Sequence, residues 1–337
     1  MTPPSSTSIP PLRWGILGTG GIAHDFVGDL PLLSSASVTA VGSRRQETAD
    51  AFGDEFGIAH RHTDAEALAD DDTVDAVYVS TPHPMHFDGA MAAIDAGKAV
   101  LVEKAFTVNA GQAEQLVRRA REKQVFLMEA MWTRFLPHIV AVRDVLASGR
   151  LGDIVTVSAD HGQWFPDDPE NRLFAPALGG GALLDLGIYP LSFASMILGP
   201  PKRMAMIDDP AFTGVDGQIS VVLGYDGGAQ AVVNTTLRAV SPTVAAIVGR
   251  DARLEIDSAW YRPSRFTITD RDGHAEAFEF PHEGHGLRYE AAEVARCVAA
   301  GQLESAVMPL DETVQIMGTM DEIRRRGGYS LPGDPDS

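Results

Sequence analysis

The chain has 337 residues and a formal net charge of −19. An ordinary apolar fraction of 45% and this length point to a globular protein of two domains that needs neither metal nor disulfide to fold. So acidic a surface repels phosphate backbones and anionic lipid, which argues against general nucleic-acid or membrane binding but does not exclude a small anion in a local pocket. The one cysteine, Cys297, precludes an intrachain disulfide and fits a reducing compartment. Residues 1–11 are rich in Pro, Ser and Thr, with no basic or apolar signal region, and read as a disordered tail. With no uncharged apolar run of about 18 residues, a cytoplasmic protein is expected.

In chain order, 13–17 reads as a buried strand, and 38–41, 76–79, 99–102 and 125–128 read likewise. Helical segments lie between them, among them 85–96 closed by Gly97 and 109–123 opened by Asn109 as N-cap. This alternation predicts an α/β domain with a doubly wound parallel sheet. Near Trp132 the pattern changes, and the domain boundary is placed there. A helix over 136–147, a strand over 154–159, a loop rich in Pro, Asp and Trp, and a helix over 181–198 follow. Five further strands, over 218–225, 230–237, 244–248, 254–256 and 266–269, succeed one another without helices, which predicts a mostly antiparallel sheet. Helices over 286–300 and 310–326 close the chain. The expected organisation is a dinucleotide-binding domain over 12–131 and an α+β substrate-binding and oligomerisation domain over 132–337, its last helix able to pack back on the first.

The chemistry-bearing residues follow the strand ends. Gly18-Thr19-Gly20-Gly21-Ile22-Ala23 stands between the first strand and a helix. Glycines there permit a tight turn and close approach of backbone N–H groups to a pyrophosphate, and Ala23 takes the third glycine's packing position. After the second strand an acid would bond the ribose diol of NAD; Ser43-Arg44-Arg45 stands there instead and suits the 2′-phosphate of NADP. The plainer alternative is a solvated helix start. Thr81-Pro82-His83 and His86, and then Glu103-Lys104, follow later strands and face the same crevice. His83 and His86 offer metal ligands, but no third ligand has metal-site spacing, so no metal is expected and hydrogen bonds to the cofactor are preferred. Glu103-Lys104 alone would read as a surface ion pair. In the second half, Gly179-Gly180-Gly181 leads into a helix with Asp185 and Tyr189 four residues apart on one face. Asp185 among leucines and isoleucine demands a partner.

These motifs, in this order, resemble the Gfo/Idh/MocA superfamily over nearly the whole chain from Leu12 to about Arg326. The runs Thr81-Pro82-His83-Pro84-Met85-His86, Phe126-Leu127-Met128-Glu129-Ala130-Met131-Trp132-Thr133-Arg134-Phe135, Gly180-Gly181-Ala182-Leu183-Leu184-Asp185-Leu186-Gly187-Ile188-Tyr189 and Tyr289-Glu290-Ala291 are similar to its dimeric dihydrodiol dehydrogenase and NADP-dependent D-xylose dehydrogenase branch. The resemblance implies a Rossmann domain and an open-faced sheet domain that often mediates dimers. It implies hydride transfer between NADP, rather than NAD, and a sugar, polyol or diol carbon or the matching carbonyl. Lys104 matches the family lysine, and Asp185 and Tyr189 its later pair, with Tyr189 as acid/base tuned by the Lys104 cation. Trp132, Arg134 and Arg172 match positions near substrate or cofactor in relatives. Where the family has proline, this chain has Ala105, whose bond to Lys104 is therefore expected to be trans. The rival readings are a non-catalytic nucleotide- and sugar-binding sensor and a hydrolase using tightly bound NAD. An uncovered face of the second sheet must be polar or paired, so a homodimer or larger homo-oligomer is expected.

Overall fold

The computed structural model describes residues 9–334, so most of the expected N-terminal tail lies outside the described residues. The chain divides into two compact units. The first comprises the chain up to Glu103, Glu114–Trp132 and Gly284–Leu310; the second comprises Lys104–Ala113, Thr133–Glu283 and the chain from Asp311 onward.

Among the described residues, the first unit holds six strands: β1 (Leu12–Leu17), β2 (Ala36–Gly42), β3 (His60–His62), β4 (Ala76–Val79), β5 (Ala99–Glu103) and β6 (Leu127–Ala130). All pairings are parallel, in the order β3-β2-β1-β4-β5-β6. That is the doubly wound dinucleotide-binding order, with the direction of winding reversing between β1 and β4. Every residue of β4 and β5 is buried, as expected for strands covered on both faces. Phe26 stacks on Tyr78 at 3.9 Å and meets Trp14 edge-on at 5.3 Å, which anchors the helix Gly21–Asp29 to the sheet. The apolar patterning reveals β1, β2, β4 and β5 directly, and β6 with its start two residues early. It misses β3, because His-Arg-His carries no apolar signal.

The second unit holds β7 (Ile154–Gly162), β8 (Arg203–Pro210), β9 (Asp216–Gly224), β10 (Gln230–Thr236), β11 (Ala245–Gly249), β12 (Ala252–Ile256), β13 (Phe266–Asp270) and β14 (Ala275–Phe278). They form one sheet ordered β14-β13-β12-β11-β7-β10-β9-β8, antiparallel throughout except for β7 beside β10. Strand β9 buries Ile219, Val221 and Leu223 and exposes Gln218, Ser220 and Val222 between them. Neither β8 nor β14 is evident from the sequence, because their residues are exposed or half-buried throughout.

The helix expected over 181–198 has two parts. Leu183–Gly187 is π-helical and Ile188–Leu198 is α-helical. Pro190 has no N–H to give the Leu186 carbonyl, and the preceding turn widens so that the Ile188 N–H reaches the Leu183 carbonyl. The stretch Pro176–Leu198 is long and apolar enough to cross a membrane, but its most apolar window is 78% buried within the protein, as suits a core helix.

Within the first unit, buried Asp29 closes the helix Gly21–Asp29 and accepts the N–H groups of His285, Gly286 and Leu287 at 2.9, 2.7 and 2.9 Å. It thereby fixes the turn that starts the helix Arg288–Ala299. Replacing it leaves two buried donors and one partly buried donor unpaired. Asp29→Ala should therefore lower stability by about 2–4 kcal/mol in urea unfolding, with Asp29→Asn less affected; a loss below about 0.5 kcal/mol, the scale of an ordinary surface change, would contradict this role.

Candidate active site

In the first unit, the end of β1 turns at Gly18, whose φ of +106° and contact with the Ser80 carbonyl leave no room for a side chain. Gly20 and Gly21 are exposed, and a Cβ on either would meet nothing. They leave an open cradle over the N-terminus of the helix Gly21–Asp29, between half-buried Thr19 and Ile22, while Ala23 is fully buried against the sheet. An anion suits that position. At the end of β2, the Ser43 hydroxyl meets Thr48 at 2.6 Å, and Arg44 and Arg45 are exposed with no acidic partner among the described residues. Beyond β4, Thr81 has a buried hydroxyl without a hydrogen-bond partner. After Pro82 come buried His83 and His86, edge to face at 5.6 Å, with His86 Nε2 held 2.7 Å from the Thr81 carbonyl. A glycine cradle, an orphaned buried hydroxyl and two unengaged guanidiniums fit a phosphorylated dinucleotide.

Glu103, at the end of β5, is buried and accepts the hydroxyl of Tyr78. Burial, with the charges of Glu103 and Glu129, raises the carboxyl of Glu290 well above its ordinary range. Trp132, also buried, ends this part of the chain.

The second unit gathers the other expected residues around Asp185. Its carboxylate accepts from the Arg172 guanidinium at 2.8 Å and lies 3.8 Å from Lys104 Nζ. The Lys104 ammonium also donates to the Asp185 backbone carbonyl at 2.8 Å and sits 4.9 Å from the centre of the Tyr189 ring. Two cations therefore meet the demand of a carboxylate placed among leucines. Arg172 reaches it from a half-exposed position, whereas Lys104 and Asp185 are largely enclosed. The Lys104–Ala105 peptide is cis, correcting the trans expectation. Ala105 is fully buried. Arg134 is committed elsewhere: Glu312 takes two of its N–H groups at 2.7 and 2.9 Å, and Ser192 takes two more.

His161, near the end of β7, also belongs to this constellation and was not singled out from the sequence. Its ring stacks on Tyr261 at 4.1 Å and meets Tyr189 edge-on at 5.2 Å. Burial, assisted by the Lys104 cation, pushes its imidazole down to about 3, so it is neutral. No motif marks it; it lies just ahead of the loop rich in Pro, Asp and Trp.

The triple glycine has a local cause. Gly181 has φ +122°, and a Cβ there would collide with the Asp216 carboxylate; one on Gly180 would strike the carbonyls of Arg172 and Leu173. Asp216 in turn accepts the Leu183 N–H at 2.6 Å at the start of the segment that presents Asp185 and Tyr189.

Comparison with known proteins decides the family. Residues 12–131 match the oxidoreductase family with an NAD-binding Rossmann fold, and residues 139–256 match the GFO/IDH/MocA C-terminal domain. The chain belongs to the Gfo/Idh/MocA oxidoreductase family. It is 34% identical to D-xylose 1-dehydrogenase (NADP(+)) of Hypocrea jecorina, covering 95% of this chain and 93% of that one. It is 35% identical to trans-1,2-dihydrobenzene-1,2-diol dehydrogenase of Mus musculus, covering 96% and 99%. Among solved structures, aldose-aldose oxidoreductase from Caulobacter crescentus, complexed with glycerol, superposes with a TM-score of 0.86 at 25% identity, covering 95% and 98%. KijD10, a 3-ketoreductase from Actinomadura kijaniata in complex with NADP and TDP-benzene, gives 0.81 at 28% identity, covering 94% and 97%. In this family member, the Lys-Asp-Tyr constellation occupies one unit and the glycine cradle the other.

Asp216 offers a test of the local architecture. Burial, against the Leu183 N–H, raises its pKa from 3.8 to about 7. The folded state then holds a proton that the unfolded state has already lost, so this group's contribution to stability declines as pH rises from about 4 to about 7. Asp216→Asn removes that decline. The difference in melting temperature, variant minus parent, should increase from pH 4 to pH 8; a difference independent of pH would refute the assignment.

Proposed function

We propose that this family member is an NADP-dependent dehydrogenase or reductase that acts on a CH–OH carbon of a sugar, polyol or diol, or on the matching carbonyl. The observation that carries the reading is the Lys104 ammonium, 4.9 Å from the Tyr189 ring and bonded to the backbone of Asp185. When bound, the nicotinamide would supply or accept the hydride. Tyr189 takes the hydroxyl proton in oxidation and returns one in reduction. The Lys104 cation favours the phenolate, and Asp185 orients the ammonium. Neutral His161 packs against the Tyr189 ring and restricts its rotation. The named activities of the curated relatives, xylose and dihydrodiol dehydrogenation, support the substrate class.

The Gly18, Gly20 and Gly21 turn would cradle the pyrophosphate, and Ser43, Arg44 and Arg45 the 2′-phosphate. The NADP in the name of the xylose dehydrogenase supports that choice. Thr81, Pro82, His83, His86 and Glu103 would line the nicotinamide end of the site. Arg172 and Trp132 would contact substrate, and Arg134 would act through Glu312 and Ser192. With its lone cysteine buried and unpaired, we place the enzyme in the cytoplasm.

A homodimer is part of the same reading. On the outward face of the second sheet, Val232 stands opposite Val222, which stands opposite Ala205, and Ile207 is 80% exposed beside them. An aliphatic patch on an open sheet face suits a second copy of the chain.

Three outcomes are expected. Tyr189→Phe should cut kcat by about 10²–10⁴-fold with little change in nucleotide affinity; near-normal turnover would place the proton elsewhere. Arg44→Asp should raise the KM for NADP⁺ by about 10–100-fold and leave that for NAD⁺ nearly unchanged; equal use of both nucleotides by the parent enzyme would contradict the arginine reading. Light scattering at micromolar concentration should give twice the chain mass of 36.0 kDa, reduced by Val232→Lys; a parent monomer would remove the dimer.

A further inference from the structure

Strand β3 is the edge of the parallel sheet and only three residues long, His60-Arg61-His62. Alternation along a strand puts the two histidines on one face and Arg61 on the other. Arg61 turns to Asp54 at 2.6 Å, while His60 Nδ1 and His62 Nε2 converge on a single oxygen, Oδ2 of Asp71, at 2.7 and 2.9 Å. The three ligand atoms lie within 4.8 Å of one another.

The carboxylate is held from behind. Its other oxygen accepts the Thr73 N–H at 2.8 Å and the Thr73 hydroxyl at 2.6 Å. The Lys98 ammonium donates to the Asp71 and Val74 carbonyls and fixes the loop backbone. The Asp71 side chain is only 6% exposed, against 23% for His62 and 46% for His60. A fixed, enclosed carboxylate thus aims one oxygen at two imidazoles, and the outer side of the group opens to solvent.

We propose that His60, His62 and Asp71 form a site for a divalent transition metal, zinc foremost. Two imidazoles and one carboxylate are donors that suit zinc, and also nickel and copper, rather than magnesium or calcium, which favour oxygen ligands. Around tetrahedral zinc, bonds of about 2.0–2.1 Å place ligand atoms about 3.3 Å apart. The histidine–carboxylate spacings need to open by only about half an ångström, within reach of the half-exposed His60 side chain. Water would complete the coordination. The site would also steady the end of β2, because the Ser43 N–H donates to the His62 carbonyl at 3.0 Å and Gly42 pairs with His62. Bound metal would therefore stiffen the strand beside Ser43-Arg44-Arg45 without touching the reacting groups.

The test is calorimetric titration of chelator-treated full-length protein with zinc chloride, repeated on His60→Ala and Asp71→Asn. The expected result is one strong site per chain, a higher melting temperature with zinc, and affinity reduced at least about tenfold in His60→Ala, the scale on which even outer-shell partners act. Because His60 is half-exposed, that variant should keep the metal-free melting temperature of the parent, so the result stands even if Asp71→Asn fails to fold. Absence of a stoichiometric site in the parent protein would overturn the proposal. So would equal zinc binding by parent and His60→Ala, which would assign the zinc to other ligands, such as the exposed group of Asp270, Asp272 and His274.

Discussion

A carboxylate on an apolar helix governs the candidate active site. Asp185 lies among buried Leu183, Leu184, Leu186 and Ile188, where an unpaired charge would be strongly unfavourable. The chain satisfies it with Arg172 and Lys104. Removing either cation would leave a buried negative charge undercompensated, and removing Asp185 would leave two cations facing each other. The same requirement fixes the lysine. Once the Lys104 ammonium is bound to the Asp185 carbonyl and drawn to its carboxylate, it stands over the Tyr189 ring.

Local backbone features deliver these groups. The end of β5 passes directly into Lys104, so a strand terminus supplies the cation. The glycine turn, clamped by Asp216, starts the helical segment that carries the acid and the phenol. The π-helical stretch places Asp185 within a widened turn just ahead of Tyr189. Near its end, strand β7 carries His161, whose ring, with that of Tyr261, borders the phenol. Elements distant in sequence thus each contribute one constraint to a single tyrosine.

Much of this was legible in the amino-acid order. Apolar runs between helical patterns identified four of the parallel strands closely, because strands buried on both faces must be apolar throughout. The need of Asp185 for a partner follows from its neighbours, and Lys104 stands out at the end of a parallel strand, with its role supplied by the resemblance. What escaped had physical reasons. His-Arg-His on an edge strand has no apolar pattern, and β8 and β14 are too exposed to show clean alternation. His161 draws its importance from rings at Tyr189 and Tyr261, residues 28 and 100 positions away in sequence. The cis bond at Ala105 could not be inferred without proline. Asp216 has no motif of its own, and only its proximity to Gly181 reveals why that glycine is required.

The central claim is that the Lys104 charge controls the proton on Tyr189. The pH dependence of kcat tests it most directly, measured on the parent enzyme, Lys104→Arg and Lys104→Met with one saturating sugar or diol and NADP⁺. The account predicts an alkaline shift of the limb that reports phenol ionisation in Lys104→Met and a limb close to the parent's in Lys104→Arg, which keeps the charge. A limb in the same place for all three enzymes would contradict it.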